Sequence, residues 1–213
     1  MVAKRKASPG AKPAPAAPVH DDTRARLLAT ARDAYLDGGP AAFSLREVAR
    51  RVGVSAAAVY RHFDGKDALL GAACEQGFAV FAGYLMKALT EPTPALRLRA
   101  TADQYLRFGL ENPRDYRFMF MSSLEELAAP VDVRKAPDRG PGFRVLVDRV
   151  RENMDAGLIA PGEVEPIAVL IWANVHGLVS LRLAGHLDSA GDDDAFTAFY
   201  RQANDRFLAA LAP

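Results

Sequence analysis

The chain has 213 residues, half of them hydrophobic and a quarter charged, which is enough to bury one or two cores and too apolar for an intrinsically disordered chain. Its formal net charge of +1 hides an asymmetry: residues 1–66 carry 12 Lys and Arg against 6 Asp and Glu, a front of +6, while residues 67–213 carry 15 against 20, a body of −5. The one cysteine, Cys74, excludes an internal disulfide framework and a multi-thiolate zinc site, and in its apolar helical stripe it reads as a buried thiol in a reducing, cytoplasmic setting.

Residues 1–19 are rich in Ala, Pro and Lys without periodicity, a composition too poor in buried surface to offset ordering entropy. A disordered basic arm is expected there, a solvated tail first and a DNA contact second. Lys4, Arg5 and Lys6 precede no apolar run, so the segment is not read as a signal peptide. From Asp22 to about Asp37 the positions Leu27, Leu28, Ala31, Ala34 and Tyr35 make one helical face, with Asp21 and Asp22 at the positive end and Gly38-Gly39-Pro40 as the stop. Phe43 is expected beneath the next turn as a hydrophobic staple.

Ser44 followed by Glu47 has the spacing of a capping box, in which the hydroxyl takes an orphan amide and the carboxylate returns to the cap's own N–H. Leu45, Val48, Ala49 and Val52 keep helical spacing, Gly53 supplies a left-handed stop, and Ser55 caps a second short helix. A short helix with a small leading edge suits a major groove. Ala56, Ala57 and Ala58 form that edge, with methyl groups for thymine methyls, while Arg46 and Arg61 have the reach for guanine O6 and N7. Tyr60, Arg61 and His62 late in the second helix, and Lys66 at the start of the next, fall where phosphates would lie. With the two caps, Ser44 and Ser55, these residues make up the candidate DNA-contacting set. The basic front strengthens it, because phosphate neutralisation with counterion release supplies most non-specific affinity.

Leu27-Leu28, Ala31, Tyr35, Gly38, Phe43 to Ala49, Val52 to Ser55, Val59 to Phe63, Lys66 and Leu69-Leu70 together resemble the tetracycline-repressor (TetR) family of bacterial transcription regulators. That resemblance covers about the first third of the chain after its arm. It implies an all-α homodimer with an N-terminal three-helix helix-turn-helix DNA-binding domain, here residues 20–66, and a C-terminal helical domain, here residues 67–213, for ligand binding and dimerisation. It further implies a repressor that leaves a palindromic operator when a small effector binds. A sequence-tolerant architectural DNA-binding protein is the alternative, sharing the basic front with weak preference among sequences.

After Lys66, a long helix with Leu69, Leu70, Ala73, Gly77, Val80, Phe81, Tyr84 and Ala88 inward runs to Pro92, joining both halves. Pro94 opens a helix to Glu111, and Pro113 opens another. Tyr116, Phe118, Met119, Phe120 and Met121 follow, a patch open to two readings, pocket lining or core. Ala128 to Gly142 is expected to be a mobile loop, followed by a helix from Phe143 to Ala156. A helix near 163–185 is apolar on nearly all sides and needs cover all round; its Asn174 and His176 speak against a membrane span. A last helix, near 192–211, would join it in a two-fold four-helix bundle with a second copy. Trp172, His176 and Gly177 resemble a Trp-x-x-x-His-Gly signature of one TetR subgroup. His176 reads first as a core histidine orienting the indole and second as a ligand or pH sensor. The candidate ligand-contacting set is Phe81, Tyr84, Tyr105, Phe108, Tyr116, Phe120, Trp172 and His176.

No nucleophile elbow, His-Glu-x-x-His or complete phosphate loop occurs, and His20, His62, His176 and His186 lie in separate elements. No enzyme activity, metal or cofactor is expected.

Overall fold

The computed structural model describes residues 19–122 and 140–213; the expected arm, except Val19, and most of the expected loop fall outside them. Among the described residues there are helices and no strands. In chain order they are α1 (Val19–Ala42), α2 (Leu45–Val52), α3 (Ala56–Tyr60), α4 (Lys66–Lys87), α5 (Pro94–Glu111), α6 (Pro113–Tyr116), α7 (Pro141–Asp155), α8 (Val164–Leu183) and α9 (Asp193–Ala209). A π-helical turn, Arg117–Met121, continues α6.

The Gly-Gly-Pro stop does its work inside α1: Gly39 has φ 70° and ψ 178°, which breaks the helix there. The chain then carries Phe43 into a first core made by Leu27, Leu28, Ala31 and Tyr35 of α1, Val48 and Val52 of α2, Val59 of α3 and Leu69 and Leu70 of α4. Phe118 of the π turn joins this core, its ring edge-on to Tyr35 at 5.6 Å. The expected division between 66 and 67 thus falls at the first turn of α4, whose opening residues pack with the front.

Two further cores fill the rest. Phe81, Tyr105, Phe108, Tyr116, Val175, Val179, Phe196 and Tyr200 form one; Leu98, Phe143, Leu146, Val150 and Ile171 belong to the other. Thr93 caps α5, its Oγ1 accepting from the Leu96 amide, and Asp192 caps α9 through the Ala195 amide at 2.9 Å. The α7 helix begins at Pro141, two residues before the expected Phe143, because proline at the first helical position needs no amide partner.

Among the described residues, α8 is covered on one face only. Ala168, Ile171, Val175 and Val179 are buried, while Leu170 and Leu181, with Phe199 of α9, stay exposed. By length and composition α4 and α8 would each span a bilayer; here both pack as bundle helices.

Candidate DNA-contacting head and ligand cavity

Local sequence dictates the head. The Ser44 hydroxyl accepts from the Glu47 amide at 3.2 Å, and Gly53, left-handed at φ 79°, donates to the Ala49 carbonyl at 2.9 Å. Ser55 Oγ accepts from the Ala58 amide at 3.2 Å and starts α3. The return half of the expected capping box does not form. Glu47 instead turns to the following turn of its own helix, where Arg50 Nη2 stands 2.7 Å and Arg51 Nε 2.8 Å away. Two charge-assisted partners win over one neutral amide, and the hydrogen bonds from Arg50 and then Arg51 hold the Glu47 carboxyl down to about 2.

Three placements in the head differ from the sequence reading. Ala58 is buried, so the small leading edge consists of Ala56 and Ala57. Arg61 is the C-cap of the five-residue α3, and His62 lies beyond it, so both sit past the helix. Lys66 Nζ donates to the Pro40 carbonyl at 3.0 Å and lies 5.7 Å from the Phe43 ring centre, which leaves part of its donor capacity for a phosphate. Tyr60 is 59% exposed, and Arg46 and Arg61 are exposed with no ion pair among the described residues. Because Arg50 and Arg51 are neutralised by Glu47 and Asp37, the free positive charge of the head is smaller than its residue count implies.

A chain of ion pairs joins this head to the rest. Arg32 bonds Asp115 of α6 at 2.6 Å; Arg114 of α6 bonds Asp33 at 2.8 Å and Asp37 at 2.9 Å; Asp37 bonds Arg51 of α2 at 3.2 Å. Arg114 and then Arg51 lower the Asp37 carboxyl below its usual range.

On the far side of α6 lies a cavity of about 770 Å³ between α4, α5, the π turn, α7 and α8. Of the eight expected ligand-contacting residues, Phe81, Tyr105, Phe120, Trp172 and His176 line it. Tyr116 is fully buried behind His176, and Phe108 is fully buried in the core. Tyr84 points to the outer edge, where its hydroxyl donates to Glu111 at 2.5 Å and accepts from Asn112 at 3.0 Å. Glu75, Thr101, Met119, Phe143 and Leu146 also line the cavity; Met119 belongs to the patch that read as pocket lining or core, whereas Thr101, Phe143 and Leu146 have the spacing of ordinary core positions and the exposed Glu75 that of a solvated face. Gly142 is a tight fit: a Cβ there would stand 2.7 Å from Phe81 Cε1, so α7 opens directly against a ring of the cavity wall.

The cavity's polar end is one hydrogen-bonded cluster. His176 Nδ1 stands 2.9 Å from Tyr105 Oη and 2.8 Å from Tyr116 Oη. Trp172 Nε1 donates to Tyr105 Oη at 3.3 Å, and Ser180 Oγ is 3.2 Å from Tyr116 Oη and 3.3 Å from His176 Nε2. Burial lowers the His176 pKa, so the ring is neutral near pH 7. Burial raises the hydroxyls of Tyr105 and Tyr116. Among the described residues no group of three His, Cys, Asp or Glu is placed to hold a metal ion.

Residues 27–73 match the family described as bacterial regulatory proteins, tetR family, and residues 98–206 match the tetracyclin repressor-like C-terminal domain. The HTH-type transcriptional repressor Rv3405c of Mycobacterium tuberculosis is 40% identical over 138 residues, 65% of this chain and 64% of that protein. The HTH-type transcriptional activator FasR of Mycolicibacterium smegmatis is 31% identical over 101 residues, 47% of this chain and 46% of that protein. The chain therefore spans slightly under two thirds and under half of these relatives' lengths. A solved structure of a protein of unknown function from Rhodococcus sp. RHA1 aligns at TM-score 0.66 and 31% identity, covering 90% of this chain and 96% of that one. A bacterial regulatory protein in the tetR family from Rhodococcus RHA1 shares the fold at TM-score 0.71 and 20% identity, covering 89% and 97%.

Proposed function

The chain belongs to the TetR family of bacterial regulatory proteins, and from that premise we propose that it is a homodimeric transcriptional repressor released from a palindromic operator by a small apolar effector. One observation carries the reading: α4 holds the capped α2–α3 head at its first turns, through Leu69 and Leu70, and lines the cavity farther along, through Phe78 and Phe81. A ligand that spreads the cavity wall moves the same rod that seats the head.

On the DNA side, α3 enters the major groove with Ala56 and Ala57 leading and Arg46 and Arg61 reading base edges. Tyr60, His62 and Lys66 meet phosphate, and Ser44 and Ser55 bring their helix starts to the backbone. The two heads of a dimer then take successive major grooves about 34–36 Å apart. Exposed Leu170 and Leu181 of α8 and Phe199 of α9 support pairing with a second copy. Gly177 adds to this support, since a Cβ there meets nothing within 4 Å among the described residues and leaves room for a partner helix. Residues 20–66 form the DNA-binding domain and 67–213 the ligand-binding and dimerisation domain. The higher-identity relative is named a repressor, which favours that sign. The setting is the cytoplasm, and the family is one of regulators and not of enzymes.

The ligand shifts the population toward a head spacing that fits DNA poorly, and linkage requires operator DNA to weaken ligand binding by the same factor. Selection from a random duplex library at two salt concentrations tests the DNA half. An inverted repeat enriched at the higher salt is expected. Binding without enrichment, lost as salt rises, overturns this reading in favour of a sequence-tolerant architectural protein.

A further inference from the structure

Among the described side chains that line the cavity, Glu75 alone is charged, and it stands exposed on α4. No lysine or arginine stands among the described lining residues. A carboxylate or phosphate drawn into this space would lose its water shell with no cation to replace it, and would approach a fixed negative charge. The described wall therefore disfavours anions and leaves the choice of head group to its neutral donors.

Those donors are few. The Thr101 hydroxyl donates to the Arg97 carbonyl of its own helix at 2.8 Å, and the Trp172 N–H is held by Tyr105 Oη. Tyr105 and His176 remain. Two hydroxyls, from Tyr105 at 2.9 Å and Tyr116 at 2.8 Å, converge on the single nitrogen Nδ1 of His176. A neutral imidazole nitrogen has one lone pair or one hydrogen to offer, never two. Only Tyr105 lines the cavity, and Tyr116 has the alternative acceptors Ser180 Oγ at 3.2 Å and the His176 carbonyl at 3.3 Å. When Tyr105 turns its hydrogen toward a ligand, Tyr116 takes over Nδ1 and no buried group is orphaned. Satisfied exchange of this kind avoids the penalty that normally accompanies redirecting a buried hydrogen bond.

Taking the cavity as the effector site, we propose that the effector is an uncharged, largely apolar molecule ending in a carbonyl oxygen, a ketone, ester or amide, which accepts from Tyr105 Oη. Tyr116 is a positioning residue that makes this donor available without touching the ligand.

Trp172 is the chain's one tryptophan and lines the cavity, so its fluorescence reports occupancy directly. Four probes of equal chain length, 2-decanone, decanoate, decylamine and decane, are titrated against the full-length protein. The ketone is expected to bind at least tenfold more tightly than decanoate and severalfold more tightly than decane. Tyr105→Phe brings the ketone down to the affinity of decane. Tyr116→Phe, by committing the Tyr105 hydrogen to His176, weakens the ketone severalfold and leaves decane unchanged; a purely structural role would weaken both alike. Decanoate or decylamine binding as tightly as the ketone, or a ketone affinity untouched by Tyr105→Phe, overturns the head-group assignment while leaving the effector site standing. No response to any probe overturns both.

Discussion

In the head, Glu47, Arg50 and Arg51 are charged and close in sequence; at the cavity's polar end the hydrogen-bonding side chains are neutral, buried or half-buried, and far apart. Glu47, Arg50 and Arg51 sit within one and a half turns of α2, whereas Tyr105, Tyr116 and His176 come from three separate helices. Each arrangement suits its medium. A surface charge acts through water over about 10 Å of screening length, so the head can attract a phosphate backbone before it touches it. A buried hydroxyl acts only on the atom against it, and that makes the cavity selective and the head forgiving. Substitutions in the head should accordingly move salt dependence, and those around the cavity should move stability and ligand choice.

Phe118 tests the joint between the two regions and carries the largest expected effect. It lies on the π turn beside cavity-lining Met119 and Phe120, yet its ring is buried in the first core against Tyr35. Phe118→Ala should cost about 3–5 kcal/mol of unfolding free energy, the range for a large core aromatic. Urea denaturation followed by circular dichroism reads this; a loss below about 1 kcal/mol would mean that the π turn does not hold the head to the body.

The cavity's neutrality gives a second, smaller effect. Burial depresses the His176 pKa below its ordinary 6.5, so the unfolded chain binds a proton there more readily than the folded one. Stability then rises with pH through the window below 6.5 and flattens above it. The thermal midpoint should fall as the pH is lowered from 7 toward 5, and His176→Gln should remove that part of the slope. A slope of the same size in the variant would assign it to other groups.

The same contrast explains what the sequence conveys. The helix ends at Gly39, Gly53 and Ser55 were legible because caps and stops are local, acting over four residues or fewer. Trp172 and His176, four apart on α8, were placed on one face, and their rings stand 5.7 Å apart in the same cavity wall. Tyr105, Tyr116, Trp172 and His176 stood together in the candidate set, but the hydrogen bonds that join them were not legible, since they span 60, 67 and 71 residues and no spacing encodes them. Nor did helical periodicity separate Tyr84 from Phe81: both fall on the apolar stripe of α4, and only the packing of α5 and α7 decides which ring meets the cavity. The capping box is a different case. Arg50 and Arg51 stand three and four residues after Glu47, a spacing known to pair charges on a helix, and the competing partners were visible in the sequence itself.

That competition sets up the smallest expected change in stability and the sharpest test of the head. Glu47→Gln removes the anion shared by Arg50 and Arg51. The pairs are exposed, and such pairs contribute little to folding, so the urea midpoint should stay within experimental scatter. DNA binding should respond differently. Arg50 is released beside the α2–α3 unit while Arg51 keeps only Asp37, which adds positive charge where phosphate approaches, and each guanidinium that neutralises a phosphate steepens the dependence of log affinity on log salt by about 0.9. A steeper slope with tighter binding to unrelated duplexes is expected, because phosphate contacts carry no sequence information. An unchanged slope would place Arg50 and Arg51 away from the DNA, and leave the exposed Arg46 and Arg61 as the head's arginines that meet it.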